Sequence, residues 1–247
     1  MSDLVFIGDV HLDRDDPALE DFLRFLHSLG ATTSRVVLIG DLFNVWIGGA
    51  AMEQPHQRAV VQALAELRRG GVRVSYLEGN RDYRIGRHYT GTALDEASES
   101  HLIERHGGKS VYTTHGDLVN VRDRQYRAWR AVSRSAPVWA LFGLLPVPRR
   151  LALVERLERR MRGTNLAQKR ALPEALLREF GAARLREGHD AVVLGHFHVE
   201  REITIAAPGA SGRLFVLPEW RASRRHLVLR ETGELAFVDS ARSSADA

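Results

Sequence analysis

The stretch LVFIGDVHL, residues 4–12, decides the reading of this chain. Residues 4–8 form a short apolar run stopped by glycine, the pattern of a buried strand. Asp9 and His11, two metal-ligand residue types, follow at once. In an open α/β sheet the carboxyl ends of the strands face one crevice, and ligands bind there. One residue separates Asp9 from His11. On an extended strand end they are expected to point the same way and reach one ion.

The same plan recurs along the chain. The run 35–39 leads into Gly40-Asp41, and 72–77 leads into Gly79-Asn80-Arg81-Asp82. The run 110–114 leads into His115-Gly116-Asp117, and 190–194 into Gly195-His196-Phe197-His198. Glycine beside each polar residue lets the backbone turn sharply and approach a bound group. Aspartate, asparagine and imidazole suit Mn²⁺, Fe or Zn²⁺, and a carboxylate such as Asp41 can bridge two ions about 3.5–4 Å apart. A single Asp-x-His is usually a surface turn. Five such segments, each after an apolar strand, make a site.

Apolar periodicity places helices at 17–29 and 55–69, the second ending at Gly70-Gly71. Further strands are expected at 203–206, 213–217 and 226–230. Helices alternating with strands indicate an α/β layer, and the closing run of strands indicates a second, more antiparallel sheet. Residues 122–187 differ, being rich in arginine and helix formers. They read as a helical insertion over a core of 1–121 and 188–239, with 240–247 as a frayed tail. Inside the insertion, 136–147 is nearly all apolar, between Arg134 and Arg149-Arg150. It is too short to span a bilayer. Two readings stand: a helix packed on the core, or an apolar patch that holds an acyl chain or touches a membrane surface.

Composition sets outer limits. The chain has 247 residues, 27% charged and 44% hydrophobic, with a net charge of +4 and no cysteine. This is globular composition, and cysteine-based metal or redox chemistry is excluded. Lys109 and Lys169 are the two lysines, so arginine carries almost all the positive charge. The first residues lack a secretory pattern, which places the expected protein in the cytosol.

The set Asp9-x-His11, Gly40-Asp41, Gly79-Asn80, His115 and Gly195-His196-x-His198 resembles the calcineurin-like metallophosphoesterases. That resemblance implies a two-sheet α/β sandwich flanked by helices, with a helical cap insertion, acting as a two-metal hydrolase of phosphate esters or anhydrides. It further implies that Asp9, His11, Asp41 and His198 hold one divalent ion and Asp41, Asn80, His115 and His196 a second, with Mn²⁺ expected. Many members carry Gly-Asn-His-Asp, whose histidine protonates the leaving group. Arg81 stands in that place here. Arginine is no acid at neutral pH, but it neutralises phosphoryl charge, which favours an anhydride over a simple ester. His196 is expected to share that catalytic work.

Within the superfamily the chain is most similar to the UDP-2,3-diacylglucosamine pyrophosphatase family of lipid A synthesis, through Gly40-Asp41-Leu42-Phe43, Trp46 and the His115 segment with Asp123 and Tyr126. That likeness implies a nucleotide-linked glycolipid substrate, a peripheral place on the inner leaflet of the cytoplasmic membrane and no nucleic-acid partner. Substrate contacts are then expected from Asn80, Arg81, Asp123, Tyr126, Thr164, Asn165 and Lys169. The alternative is a soluble nucleotide pyrophosphate or a phosphodiester. Phe197 between the histidines, and Leu217-Pro218-Glu219-Trp220 in place of a Gly-x-Trp, depart from that family. Asp82 and Asp117 are expected to hydrogen-bond ligating histidines, Trp46 to pack or form a lid, and Asp13, Asp15 and Asp16 to form a solvated turn.

Overall fold

The computed structural model describes residues 2–30, 32–162 and 172–240. Two sheets lie face to face. The first has the order β13 (Leu235–Asp239), β12 (Arg225–Leu229), β1 (Asp3–Ile7), β2 (Thr33–Leu38), β4 (Arg73–Leu77), β6 (Glu96–Ser98), and the second β10 (Arg201–Ala207), β11 (Ala210–Val216), β9 (Ala191–Leu194), β8 (Lys109–Thr114), β7 (Leu102–His106), while β3 (Trp46–Ile47) and β5 (Asp82–Tyr83) pair apart from both. β1 (Asp3–Ile7), β2 (Thr33–Leu38), β4 (Arg73–Leu77) and β6 (Glu96–Ser98) are parallel neighbours. In the second sheet, β8 (Lys109–Thr114), β9 (Ala191–Leu194) and β11 (Ala210–Val216) are parallel, with β7 (Leu102–His106) and β10 (Arg201–Ala207) antiparallel at the edges.

Strand periodicity explains the layering, because successive side chains alternate between faces. Leu4 and Phe6 of β1 join Val37, Ile39 and Leu77 against Val111, Val193 and Phe215 of the second sheet. Val5 and Ile7 point the other way. They meet α1 (Ala18–Ser28) and α2 (Pro55–Arg69) through Phe22, Leu26, Val60 and Leu64. Each fully buried large apolar side chain contributes about 1.5–3 kcal/mol. α2 starts with Pro55 in its first turn and a reciprocal Gln54–Gln57 capping box, and Gly71 at φ 96° turns the chain away after its end.

One expectation needs correction. The closing strands do not all belong to the second sheet. β10 and β11 join the second sheet, but β12 (Arg225–Leu229) crosses back to pair antiparallel with β1, and β13 (Leu235–Asp239) extends that edge. The inward faces of β12 and β13 complete the same buried layer, through Leu227, Leu229 and Leu235.

The described residues between 122 and 187 hold α4 (Arg124–Ser133), α5 (Ala136–Leu144), α6 (Val147–Arg162) and α7 (Glu174–Arg186). α7 covers the outer face of the second sheet, where Leu177 and Leu185 meet Ile203 and Leu214. α6 lies beside the 46–52 segment, with Val154 buried against Val45, Ile47 and Tyr83. α5 presents no buried residue; Val138, Leu141 and Leu144 are exposed. Among the described residues no helix is long and apolar enough to cross a membrane.

Candidate metal centre

β1, β2 and β4 are neighbours in one sheet and β8 and β9 in the other, so five strand ends open onto one place. There the structure assembles the seven residues. His11 Nε2 and His198 Nε2 are 3.1 Å apart. Asp9 Oδ1 lies 3.7 Å from His11 Nε2 and 3.5 Å from His198 Nε2. Asp41 Oδ2 faces both halves, 4.0 Å from His11 Nε2 and 3.7 Å from His115 Nε2. Asn80 Oδ1 stands 3.1 Å from both His115 Nε2 and His196 Nδ1.

These groups fit divalent ions. Asp9 Oδ1 is fully enclosed and has no hydrogen-bond partner, although an unpaired buried carboxylate oxygen is costly. Asp9, His11 and His198 bring one ligand atom each to a common point, and so do Asp9, Asp41 and His115. Two imidazole nitrogens facing each other at 3.1 Å beside a carboxylate need either a shared proton or a cation. Carboxylate, amide oxygen and imidazole are the donor set for Mn²⁺, Fe or Zn²⁺.

The backbone that brings them together is not an extended strand end. Asp9, His11, Asp41, His196 and His198 all have positive φ, between 51° and 71°. Left-handed turns, not strand alternation, aim these side chains, and such conformations persist where the surroundings enforce them. Two glycines are required by close approach. A Cβ at Gly79 would strike Asp41 Oδ1, and one at Gly195 would come 2.7 Å from Asp9 Oδ2.

Burial and charge shape the titration of the metal-free site. Burial holds the Asp9 carboxyl above the usual carboxylate range. Burial, with His198, Arg81 and His115 nearby, keeps the His11 imidazole well below its ordinary value. Burial also opposes charge on His115, but Asp41, Asp9 and Asp117 outweigh it and raise His115 to about 9. His196, buried beside His115, is lowered to about 3.

The supporting shell differs from expectation. Asp82 does not bond a histidine: its Oδ2 accepts from the backbone N–H of Asp41 and Gly79 and from Tyr76 Oη, each at 2.8 Å. It organises loop backbone because it sits beneath two loops rather than beside an imidazole. Asp117 Oδ2 is likewise taken by Tyr126 Oη at 2.5 Å and Arg130 Nε at 2.8 Å. His115 Nδ1 instead bonds Ile39 O at 2.8 Å. Glu219 Oε2 lies 3.6 Å from His198 Nδ1, a contact that no spacing in the sequence marks. Trp46 is fully buried and stacks on Tyr89. Asp16 is not solvated: it is buried, accepts from Ala18 N and pairs with Arg221 at 3.1 Å.

Arg81 is buried, with its Nε 3.5 Å from Asp41 Oδ2 and its N–H on Asp41 Oδ1 at 3.0 Å. Beside the centre a cavity of about 260 Å³ is lined by Asn80, Asp123, Tyr126, His196 and Phe197. Asp123 also caps α4, accepting from Tyr126 N at 2.9 Å. Thr164, Asn165 and Lys169 lie outside the described residues. A second cavity of about 290 Å³ is almost wholly apolar, between Ile47, Tyr83, Trp129, Val132, Trp139, Phe142 and Leu157.

A sandwich of two sheets with a histidine–carboxylate centre at the strand ends is the frame of a metal-dependent phosphoesterase. The calcineurin-like phosphoesterase family model matches residues 3–200, and the chain belongs to that family. It is a hydrolase. Among curated relatives, the UDP-2,3-diacylglucosamine hydrolase of Stenotrophomonas maltophilia strain K279a is 31% identical over 251 residues, covering 98% of this chain and 97% of that protein. The protein of that name from Ralstonia nicotianae is 31% identical, covering 87% of this chain and 82% of its own. The one from Aeromonas salmonicida is 28% identical, covering 87% and 85%.

Proposed function

We propose that the chain hydrolyses the pyrophosphate bond of UDP-2,3-diacylglucosamine, giving UMP and 2,3-diacylglucosamine 1-phosphate. The relatives' names and the apolar groove support this reading together. The groove carries it, because a soluble nucleotide needs no such surface and two acyl chains do. Tyr83, which lines it, directly follows the Gly79–Asp82 loop and its Oη lies 3.5 Å from Asn80 O, so in this reading the head of the lipid points toward that loop.

Asp9, His11, Asp41 and His198 would hold one ion and Asp41, Asn80, His115 and His196 the other, with Mn²⁺ as the expected metal. When bound, such a pair supplies Lewis acidity toward the phosphoryl oxygens and acidifies a water molecule. The chain's residues do the rest. Arg81 sets a permanent cation beside Asp41, which offsets charge gathering on the attacked phosphoryl group. Its guanidinium keeps its protons at neutral pH and gives none to the leaving group, so the UMP or sugar phosphate departs as an anion that this cation stabilises. His196 faces the 260 Å³ cavity with Asp123 and Tyr126, where sugar and phosphate oxygens find donors and acceptors.

We also assign the exposed face of α5 to the inner leaflet of the cytoplasmic membrane, from which the substrate is drawn. The unit 122–187 acts as the lipid-holding cap on a core of 1–121 and 188–239. Turnover of UDP-2,3-diacylglucosamine beside a dinucleotide and a simple phosphodiester, with Mn²⁺ and with chelator, tests the reading. It predicts metal-dependent release of UMP from the lipid substrate far ahead of the others. Equal or better turnover of the soluble substrates would assign the site to them.

A further inference from the structure

The loop Gly79-Asn80-Arg81-Asp82 is held from two sides. From within, Asp82 Oδ2 accepts from the Gly79 N–H and from the Asp41 N–H. From without comes Arg134, at the junction of α4 and α5. Its Nη2 donates to Gly79 O at 2.6 Å and to Asp82 O at 2.8 Å, while Nη1 donates to Glu78 Oε2 at 2.7 Å. The Arg134 side chain is 9% exposed. Glu78, also buried, accepts from the Arg84 and Gly86 N–H groups at 3.2 Å and so fixes where α3 (Ile85–Tyr89) begins.

Both clasped carbonyls belong to the ends of the loop, and Asn80 and Arg81 lie between them. Asn80 Oδ1 has a narrow target, 3.1 Å from each of two imidazole nitrogens on the other sheet. A shift of about 1 Å at either end of the loop takes it out of range. A planar fork spans two carbonyls and a carboxylate at once, whereas an ammonium is a point charge and cannot.

We infer that Arg134 is a positioning residue: by clasping Gly79 O, Asp82 O and Glu78 it sets Asn80 at the metal pair, tying the cap to the catalytic loop. The inference rests on the proposed reading of Asn80 as a ligand. Ser133 and Val132, next to Arg134, line the apolar groove, so the residues that meet a lipid and the residue that holds the loop are contiguous.

Mn²⁺ titration of the metal-free protein by calorimetry tests this without any substrate. Wild type is expected to bind two ions. Arg134→Gln is expected to weaken the ion held with Asn80 by about 10–100-fold, the usual effect of losing a partner of a ligand, and to leave the other within twofold. Adding Asn80→Ala to Arg134→Gln should cost little more than Asn80→Ala alone, since both act through one group. If Arg134→Gln does not fold, Arg134→Lys keeps the charge and is expected to show the same site-selective loss at smaller size. Wild-type affinities at both sites in the folded variant, or equal losses at both, or losses additive with Asn80→Ala, would each overturn the inference alone. A wild type that binds no pair of ions overturns the site reading as well.

Discussion

His11 Nε2 and His198 Nε2 stand 3.1 Å apart although they are 187 positions apart in the chain, one following the first sheet's β1 and the other the second sheet's β9. The two sheets thus meet at their strand ends in one cluster of imidazole and carboxylate side chains, and not only through the apolar layer between them. Consequences for activity and stability follow from that arrangement.

Asp41→Ala removes the group that faces both halves of the centre, and His115→Ala removes an imidazole of the Asn80 half. Hydrolysis is expected to fall at least about 100-fold in each, with a cooperative thermal transition retained. Near-wild-type turnover in both variants, measured with excess Mn²⁺, would remove Asp41 and His115 from the reaction.

Arg81→Lys keeps the charge and loses the fork. Because Arg81 also braces Asp41 through Nε at 3.5 Å, the expected loss in kcat is about 10²-fold, with KM changed less. Initial rates over a substrate range separate the two constants. A change confined to KM would place Arg81 in binding alone.

Val132→Asp puts a carboxylate into the apolar groove at a site 55% exposed, so the fold should tolerate it. KM for a diacyl substrate is expected to rise about tenfold or more, while turnover of a short soluble phosphodiester stays level. Equal effects on both substrates would show that the groove does not hold the lipid.

Stability should carry a pH signature far from the metal centre. His226 is buried and bonded to Ser240 Oγ at 2.9 Å, and burial with the neighbouring Arg225 lowers it to about 4. Above about 6.5 both folded and unfolded chains hold this imidazole neutral, and it costs nothing. As pH falls below that value, only the unfolded chain takes the proton, so stability is lost until about 4, where the loss levels off. At pH 4.5 the penalty is about 2–3 kcal/mol. Denaturant unfolding at pH 7 and 4.5 should show His226→Gln losing that much less than wild type. Identical losses would mean that His226 titrates normally in the fold.

Much of this architecture is legible in the sequence because glycine-ended apolar runs are local signals. Asp9, His11, Asp41, Asn80, His115, His196 and His198 follow such runs, and the structure brings all seven together. Their aim was less legible. Positive φ at five of them depends on the packing of neighbouring loops, which no local spacing encodes. The return of β12 to β1 is not encoded locally for a similar reason: its apolar alternation fits either sheet, and only the three-dimensional path chooses. β6, β7 and β13 carry no strand signal in the sequence because their burial patterns are mixed, with half-buried or exposed positions and little continuous apolar run. In the sequence Arg134 is only a cation flanking an apolar run, since its acceptors are backbone carbonyls more than 50 residues away.

Anomalous diffraction from crystals grown with Mn²⁺ addresses the central claim most directly. Two peaks about 3.5–4 Å apart, with Asp41 between them and His198 and His115 on opposite sides, are the predicted result. A single peak, or peaks away from these side chains, would contradict the two-ion account.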